Sequence, residues 1–503
     1  MTPSGTSSRS GKPAGETRRL SPGPVLVRSS FLVRVPIDRN EAVFFHSLFG
    51  TSLILNREAQ ALLGLFRSPA PTSAVLTWRQ RRRLSAALDQ LTARRFLVPP
   101  GADERKDFTR LARPHLPDSG AHLIGLVLLA AEQCNLACPY CIKDRLMDLR
   151  PERPQTRMTL ATARAAIDRF FALAERNGHP DIQLQFRGGE AFVNAAVVLE
   201  SARYARSQWT RGRLVISALT NATLVTEAIA REMAKLAMSA EVSLDGTRAV
   251  NDSVRYTKSG QPTYDAVLTG LRRLIAAGVA VTNVNATMTA ETFPRIGSRF
   301  LSLLAGLGVR LVNLEPDVLR PVHPDPRVVA RRLLALRRKG RALGMEVGGC
   351  WARPLQAIGE VRRGDGMPRG DYALLVVDAL GQVVRWEYNP ERELGPVAKL
   401  PEVLTSPAFA RHVASRTPGQ IPECRGCEIE GVCQGNASFA LLYEKATGRP
   451  GLFAHRCGIL KAVTRAMLVE REEEPEQSES AQRPLPGDGV RSPGAAGLRA
   501  ACT

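Results

Sequence analysis

Three cysteines stand close together in the run C-N-L-A-C-P-Y-C. Cys134, Cys138 and Cys141 are separated by three and by two residues. Thiolates at this spacing can bind three irons of a cubane cluster, whereas a ferredoxin cluster takes four cysteine ligands. The spacing therefore predicts a [4Fe–4S] cluster whose fourth iron is open to another ligand. A structural zinc loop is the alternative interpretation of these three residues.

A second group of cysteines lies near the carboxyl end of the chain. Cys424, Cys427 and Cys433 form a C-x2-C-x5-C pattern, and Cys457 follows later. Nine cysteines in a chain of 503 residues do not make a disulfide scaffold. Closely spaced cysteines in a reducing compartment indicate metal ligands, and a loop-rich segment that contains them gains folding energy from the metal. The same spacing would support a four-cysteine zinc site.

The elements that must position the first cysteines alternate between strand and helix over residues 120–325. Expected helices lie at 159–176, 192–208, 225–237, 264–277 and 291–307, and the expected strands are His122–Glu132, Asp181–Arg187, Arg213–Thr220, Ala240–Leu244, Val279–Met288 and Val309–Glu315. Six such units predict an α/β fold with a parallel sheet, either a partial barrel or a doubly wound sheet. Ligands bind at the carboxyl ends of the strands in both architectures.

Other segments flank this core. Residues 26–100 are expected to form a module with extended runs from Val25 to Val35 and from Ala42 to Phe49, a turn at 38–40 between them and two helical stretches. This pattern predicts a winged-helix-like α+β module. Residues 101–119 are expected to be a linker, and residues 326–471 a helix followed by a loop-rich domain. The tails 1–25 and 472–503 are rich in Pro, Gly, Ser and charge, so we expect them to be disordered.

The composition narrows the class of partner. The net charge is +21, which reflects either the coding bias of a GC-rich genome or a field that attracts anionic partners. Aromatics make up only 5% of the residues and are not interleaved with basic ones, so we expect no nucleic-acid partner. The amino terminus has no apolar signal region, and no apolar run is long enough to cross a bilayer. We therefore expect a cytoplasmic protein without a membrane partner.

The first cysteine motif resembles that of the radical S-adenosylmethionine (SAM) superfamily, and of its SPASM subgroup in particular. Tyr140, which precedes the third cysteine, fits the family pattern, whereas Ile142 stands where a second aromatic is frequent. The resemblance implies a partial (β/α)6 TIM-type barrel. It also implies that the open iron chelates the amino and carboxylate groups of SAM, whose reductive cleavage gives a 5′-deoxyadenosyl radical.

Further motifs of the family follow in order along the chain. They are G-G-E at 188–190, S-A-L-T-N-A-T at 217–223, S-L-D-G at 243–246 and N-D-S-V-R at 251–255. Ala222 replaces a family glycine, and Asn251 replaces a histidine. Arg255 is the expected partner of the methionine carboxylate, because a guanidinium matches a carboxylate fork. The resemblance implies these cofactor contacts: Tyr140, Gly188, Gly189, Glu190, Ser217, Asn221, Ser243, Asp245 and Arg255.

The carboxyl-terminal cysteines resemble an incomplete SPASM pattern. Ala437 stands at the fourth position of that pattern. Upstream the family has C-x(n)-G-x4-C, in which Trp386 replaces the cysteine that follows Gly381 and Cys350 is a candidate remnant of the cysteine before it. The resemblance implies that the first auxiliary cluster is lost. One auxiliary [4Fe–4S] cluster would remain, and Glu387, beside Trp386, is a candidate catalytic proton acceptor. The ligands implied for that auxiliary cluster are Cys424, Cys427, Cys433 and Cys457.

The run from Phe31 to Asn56 looks like the peptide-recognition module of maturases that act on ribosomally made peptides. Such a module binds the leader of a precursor peptide as an added strand. A packing or dimerisation domain and a DNA-binding winged helix are the alternatives for this segment.

These features together predict a radical SAM peptide maturase. Its radical would abstract hydrogen from a residue of a precursor peptide, giving a crosslink, a thioether, an epimer or an oxidised side chain. Flavodoxin or ferredoxin is the expected electron donor. A maturase of a folded protein, of the sulfatase-activating type, is the enzymatic alternative. A zinc-stabilised winged-helix regulatory protein is the alternative from another class.

Overall fold

The computed structural model describes residues 23–112, 120–149, 151–152, 155–354, 356–358, 373–385, 393–415, 419–433 and 435–473. Trp386, Glu387 and nearly all of both expected tails lie outside the described residues. The described residues divide into two compact units, one of residues 23–32 with 55–102 and one of residues 33–54 with those from 103 onward. The sequence-based domain boundaries stay a prediction.

Strands and helices are numbered separately in chain order. The strands are β1 (Val25–Arg28), β2 (Leu32–Pro36), β3 (Ala42–His46), β4 (Ser52–Leu55), β5 (Ala70–Pro71), β6 (Leu97–Val98), β7 (Gly125–Ala131), β8 (Ile182–Gly188), β9 (Leu214–Thr220), β10 (Met238–Ser243), β11 (Ala280–Met288), β12 (Leu311–Pro316), β13 (Glu346–Gly348), β14 (Leu374–Val377), β15 (Gln382–Val384) and β16 (Gly395–Pro396). The helices are α1 (Arg57–Gly64), α2 (Thr72–Val75), α3 (Trp78–Ala93), α4 (Glu104–Ala112), α5 (Ile142–Met147), α6 (Leu160–Arg176), α7 (Ala195–Gln208), α8 (Glu227–Lys235), α9 (Arg248–Val254), α10 (Tyr264–Ala276), α11 (Ser298–Gly306), α12 (Pro326–Ala342), α13 (Leu400–Leu404), α14 (Pro407–Ala414), α15 (Glu430–Cys433), α16 (Ser438–Thr447) and α17 (Leu452–Glu473).

The smaller unit contains a three-stranded sheet in the order β5-β1-β6 and the helices α1 to α3. Helix α3 begins with a capping box, in which the Thr77 side chain and the Gln80 side chain each accept from the other's backbone N–H. The sequence suggested one extended run from Val25 to Val35. The chain instead leaves β1 after Arg28 and starts β2 at Leu32.

The larger unit is built on a ten-stranded sheet in the order β13-β12-β11-β10-β9-β8-β7-β14-β15-β16. Strands β7 to β13 are parallel and follow chain order, without the reversal of order that a doubly wound sheet has. The expected α/β fold with a partial TIM-type barrel core is therefore confirmed. Strand β14 adds in parallel to β7, and β15 and β16 continue antiparallel.

The core strands carry apolar residues on one face and polar residues on the other. In β9, Ile216 and Ala218 belong to the hydrophobic core that the helices cover, while Ser217 alternates with them. Polar side chains recur at the alternating positions of the neighbouring strands, and the amide oxygen of Asn285 accepts from both Asn283 and Asn313 at 2.9 Å. Parallel strands that are buried on both faces usually have continuous apolar sequences. The polar face of these strands therefore indicates that the interior of the barrel is a ligand surface.

One expected helix is shorter than its pattern. The sequence suggested residues 291–307, but α11 begins only at Ser298. Pro294 lies in the missing part, where it disfavours a helical conformation of the residue before it, and Gly297 is extended at the start of α11. The other core elements agree with the expected bounds to within a few residues.

Candidate functional site

The three clustered cysteines follow directly after β7. The loop from Glu132 to Cys141 leads into α5, and Cys141 N donates to Cys138 O at 3.0 Å. Burial, with a smaller contribution from the nearby Cys138, raises the pKa of Cys134 to about 11 and that of Cys141 to about 12. The three thiols are therefore half-buried and lie close to one another. Because burial favours their neutral form, binding a metal group here has to displace protons.

The two glycines of the G-G-E motif pack against the strand that leads to this loop. Gly188 has φ +146°, and a Cβ there would lie 2.1 Å from the carbonyl oxygen of Ala131. Gly189 N donates to that same oxygen at 2.7 Å, and its own Cβ would lie 2.6 Å from Gln133 O. Without side chains, these glycines permit a close approach of the backbone. The structure shows the close approach to be with the backbone of β7 and its loop.

Glu190 joins the ends of β8 and β9. Its buried carboxylate accepts from Phe192 N at 3.0 Å, from Thr220 Oγ1 at 2.7 Å and from Asn221 N at 2.6 Å. Burial raises the pKa of Glu190, and these hydrogen bonds act in the opposite direction. A carboxylate offers about four acceptor sites. Glu190 thus stands at the strand ends with most of its acceptor capacity already used by the protein.

The end of β9 contacts the cysteine loop through amides. Asn221 Nδ2 donates to Asn135 Oδ1 at 2.9 Å and lies 3.9 Å from Cys134 Sγ. Asn135 Nδ2 in turn donates to Thr223 Oγ1 at 2.8 Å. Ala222 takes φ +58° between them, so the turn keeps the conformation that a glycine would favour. Sequence reasoning missed Asn135, whose only signal is its place directly after Cys134.

Asp245 is the centre of a buried network at the end of β10. It accepts from the Tyr140 hydroxyl, from Arg255 Nε at 3.1 Å and from Thr287 N at 2.8 Å. The Arg255 guanidinium also lies 5.9 Å from the centroid of the Tyr140 ring. Within the described part of the chain, Nε makes the hydrogen bond to Asp245, and neither Nη of Arg255 has a protein acceptor. Thr287 carried no signal in the sequence.

The two serines lie on the polar face of the sheet. Ser217 is buried and pairs in register with Gln185, and Ser243 pairs with Asn285. Ser217 stands three residues before the end of β9, deeper in the barrel than the other expected contacts. The structure thus collects at the carboxyl ends of β7 to β10 every expected cofactor contact except Ser217.

The carboxyl-terminal cysteines come from three different local elements. Cys424 ends a short helical turn, Cys427 follows it, Cys433 ends α15, and Cys457 lies in α17. Burial, together with the charges of the other cysteines, raises the pKa of Cys424, Cys433 and Cys457 to about 12. The four thiols are therefore mutual neighbours.

Two findings concern the described residues as a whole. Among them, no three His, Cys, Asp or Glu side chains stand in the arrangement that a single metal ion requires. None of their helices has the length and apolarity needed to cross a membrane.

Ala437, which stands where the SPASM pattern has a cysteine ligand, is buried in the core.

Comparison with known proteins gives a family match for the region that contains this site. Residues 129–297 match the model of the Radical SAM superfamily. An uncharacterized protein of Methanocaldococcus jannaschii is 27% identical over 196 residues, which are 39% of this chain and 63% of that protein. A serine-type anaerobic sulfatase-maturating enzyme of Klebsiella aerogenes is 30% identical over 195 residues, which are 36% of this chain and 44% of the enzyme. The chain thus spans less than two thirds of either relative.

Longer similarities support the fold. The serine-type anaerobic sulfatase-maturating enzyme of Klebsiella pneumoniae is 25% identical over 334 residues, covering 60% of this chain and 78% of the enzyme. The solved structure of native anSMEcpe with bound AdoMet and Cp18Cys peptide superposes with a TM-score of 0.55 at 14% identity, covering 69% of this chain and 99% of that one. At that identity the likeness shows the fold alone.

Residues 129–297, with the cysteine loop at the carboxyl ends of their strands, therefore match a radical SAM domain. Its cofactors are SAM and a SAM-binding [4Fe–4S] cluster, and the three thiols fit that cluster because they leave one iron open. The alternative of a zinc-stabilised regulatory protein does not agree with this match.

Proposed function

We propose that this enzyme is a peptide maturase in which Arg255 holds the methionine carboxylate of SAM. The hydrogen bonding of the Arg255 guanidinium is the observation that carries the proposal. Its Nε donates to Asp245, which leaves the two Nη groups for a ligand. A guanidinium with both Nη groups open matches a carboxylate fork. When bound, the cluster and SAM supply a 5′-deoxyadenosyl radical.

The other residues of the site would position this pair. Cys134, Cys138 and Cys141 hold the cluster, and the amide of Asn221 supports Cys134 from the side of β9. Tyr140 and Asp245 fix the orientation of Arg255. We also propose that the remaining residues implied by the resemblance contact SAM. These residues are Gly188, Gly189, Glu190, Ser217 and Ser243.

A peptide substrate is supported by the run of sequence from Phe31 to Asn56, which resembles a leader-binding module. The strands β2, β3 and β4 form a separate three-stranded sheet there, as such a module requires. Flavodoxin or ferredoxin would deliver the electron. The role of Glu387 as proton acceptor lies outside the described residues and is carried by the sequence pattern alone.

A folded-protein substrate is the second candidate. It is favoured by the similarity to the Klebsiella pneumoniae sulfatase-maturating enzyme, which extends over 60% of this chain. The two candidates differ in what they require of the amino-terminal strands, since only a leader peptide needs them.

We further propose that Cys424, Cys427, Cys433 and Cys457 hold one auxiliary [4Fe–4S] cluster. The mutual proximity of the four thiols supports a shared ligand, and the spacing of the first three matches the SPASM pattern. Four thiolates would close the cluster, so it would pass electrons rather than bind SAM. A zinc ion in the same place is the competing occupant.

Anaerobic reconstitution followed by iron and zinc analysis tests both sites. We expect about eight irons per chain, and 5′-deoxyadenosine when SAM and dithionite are added. The Arg255→Ala variant should keep its iron and form little 5′-deoxyadenosine. An intact cluster that never cleaves SAM would overturn the proposal, and about four irons with one zinc would replace the auxiliary cluster by a zinc site.

The substrate is tested with two partners under the same conditions. One is a short peptide encoded beside the gene, and the other is an unmodified sulfatase. Substrate deuterated at the reacting carbon should transfer deuterium into 5′-deoxyadenosine, which mass spectrometry detects. Transfer from the sulfatase and not from the peptide would favour the second candidate.

A further inference from the structure

The loop that carries Cys424 and Cys427 packs on strand elements from the amino-terminal part of the same compact unit. Gly431 N donates to the carbonyl oxygen of Ser47 at 2.8 Å. A Cβ at Gly431 would lie 1.8 Å from Leu48 O, so only glycine permits this approach. Ser47 and Leu48 directly follow β3. The turn after β3 and the start of α15 are therefore in backbone contact.

A buried carboxylate reinforces this contact from the side of the cysteines. The side chain of Glu430 is fully buried, and its Oε2 accepts from Gly426 N at 3.0 Å. Gly426 is one of the two residues between Cys424 and Cys427, and it takes φ +77°. Glu430 thus fixes the backbone that separates two of the proposed ligands.

Arg105 in α4 holds the other side of that carboxylate. One Nη of Arg105 contacts Glu430 Oε1, and the second donates to Oε2 at 3.0 Å. The preceding residue, Glu104, is buried and pairs with His46 Nε2 at 2.8 Å. Because His46 Nδ1 accepts from Leu48 N at 3.3 Å, its proton stands on Nε2 and is donated to Glu104.

These contacts form one continuous path from β3 to the loop between Cys424 and Cys427. We propose that Glu430 is the positioning residue of the auxiliary group and that, through Arg105, it couples the occupancy of the cysteine site to the order of strand β3. The inference rests on the proposed auxiliary cluster. Coupling free energies are reciprocal. Any change that displaces β3, including a peptide added to its sheet, therefore changes the affinity of the cysteine site for the cluster.

The physical basis of the proposed coupling is the free-energy cost of leaving a charge without its partner. Glu430 is fully buried whereas Arg105 is partly exposed, so removing Arg105 leaves a buried carboxylate uncompensated, which is strongly unfavourable. Residues that orient metal ligands from behind typically change metal affinity by roughly 10- to 100-fold when they are mutated. Net charge and hydrogen bonds near a cluster also set its reduction potential.

The chain offers a matched control for Glu430. Glu428 lies in the same cysteine segment and forms an ion pair with Arg465, but that pair is partly exposed and lies between the cysteine segment and α17. Glu428→Gln therefore makes the same chemical change one residue beyond Cys427 without breaking the path to β3.

The experiment compares reconstituted holoenzyme of the parent with E430Q, R105Q and E428Q. Iron release to a chelator should be roughly 10- to 100-fold faster in E430Q and R105Q for the auxiliary half of the iron only. Hydrogen exchange of the Ala42–His46 amides should rise in those two variants and stay at the parent's level in E428Q. Arg105→Lys is a milder variant that keeps the charge and loses the fork.

The reduction potential of the auxiliary cluster separates positioning from a merely structural role. E430Q leaves the Arg105 charge uncompensated and should move the potential upward, whereas R105Q leaves the Glu430 charge and should move it downward. Shifts of the same sign, or an E430Q variant that behaves as E428Q does, would overturn the inference. A parent with only about four irons would instead overturn the auxiliary cluster itself.

Discussion

The two groups of cysteines are held in different ways. The loop of Cys134 to Cys141 extends from a central parallel strand, and backbone hydrogen bonds such as Gly189 N to Ala131 O fix its base. The loop of Cys424 to Cys433 is held by contacts with distant side chains, of which the Arg105–Glu430 pair spans 325 positions of sequence. The first site is thus built by the sheet, whereas the second depends on long-range contacts and would gain further stability from the proposed cluster.

The largest expected effect is the loss of SAM cleavage when a cysteine of the first site is removed. We expect Cys138→Ala to reduce the formation of 5′-deoxyadenosine to the uncatalysed background, because two thiolates cannot hold the open-iron cluster. Thermal unfolding of the metal-free protein should change by only about 1 kcal/mol, since the side chain is half-buried and the sheet supports the loop. A much larger loss of stability would mean that the sheet does not preform this site.

Metal removal tests the same difference without mutation. After chelation, the amides of β7 to β10 should keep their protection in hydrogen exchange. Those of residues 424–433 should lose protection by roughly a hundredfold, which corresponds to about 3 kcal/mol of local stability. Equal loss in both regions would show that the second site is as independent of its metal as the first.

Gly188→Ala tests the close packing at the base of the first site. A Cβ would lie 2.1 Å from Ala131 O, and the residue has φ +146°, so we expect a loss of about 3 kcal/mol in the free energy of unfolding. Gly306→Ala is the control, because no atom lies within 4 Å of its added Cβ and the residue ends a helix. Denaturant unfolding measures both, and equal effects would contradict the packing argument.

Arg255→Lys tests recognition rather than folding. A lysine keeps the charge but loses the planar fork, so SAM should bind roughly 30-fold more weakly, equivalent to about 2 kcal/mol. Equilibrium binding of SAM to the reconstituted protein measures this. Unchanged affinity would remove Arg255 from the site, while the iron content serves as the control for an intact cluster.

Ala222→Gly should have the smallest effect. The substitution relieves a left-handed alanine, worth about 1 to 2 kcal/mol, but it removes a buried methyl group worth about 0.8 kcal/mol. We expect a net stabilisation of about 1 kcal/mol or less in denaturant unfolding. A clear destabilisation would show that the methyl group is required by the core around it.

The sequence predicted much of the barrel because its signals are local. Alternating apolar runs and helix patterns gave β7 to β12 to within a few residues, and the order of the family motifs gave the residues at the strand ends. The partners of Asp245 could not be predicted, because Tyr140 lies 105 positions away and Thr287 contributes only a backbone N–H. The Glu430 contacts were missed for the same reason, since no local pattern connects α4 with α15.

Strand β14 has a consequence for the order in which the chain folds during synthesis. It pairs in parallel with β7, matching Leu374 with Gly125, so the strand that leads to the first cysteines lacks one neighbour until residue 377 has left the ribosome. An unpaired strand edge is a site of aggregation, and contacts of such high sequence separation form slowly. A nascent chain that stops at residue 325, the expected end of the core, would therefore expose this edge. Truncation after residue 325 should give an aggregating protein rather than a smaller enzyme.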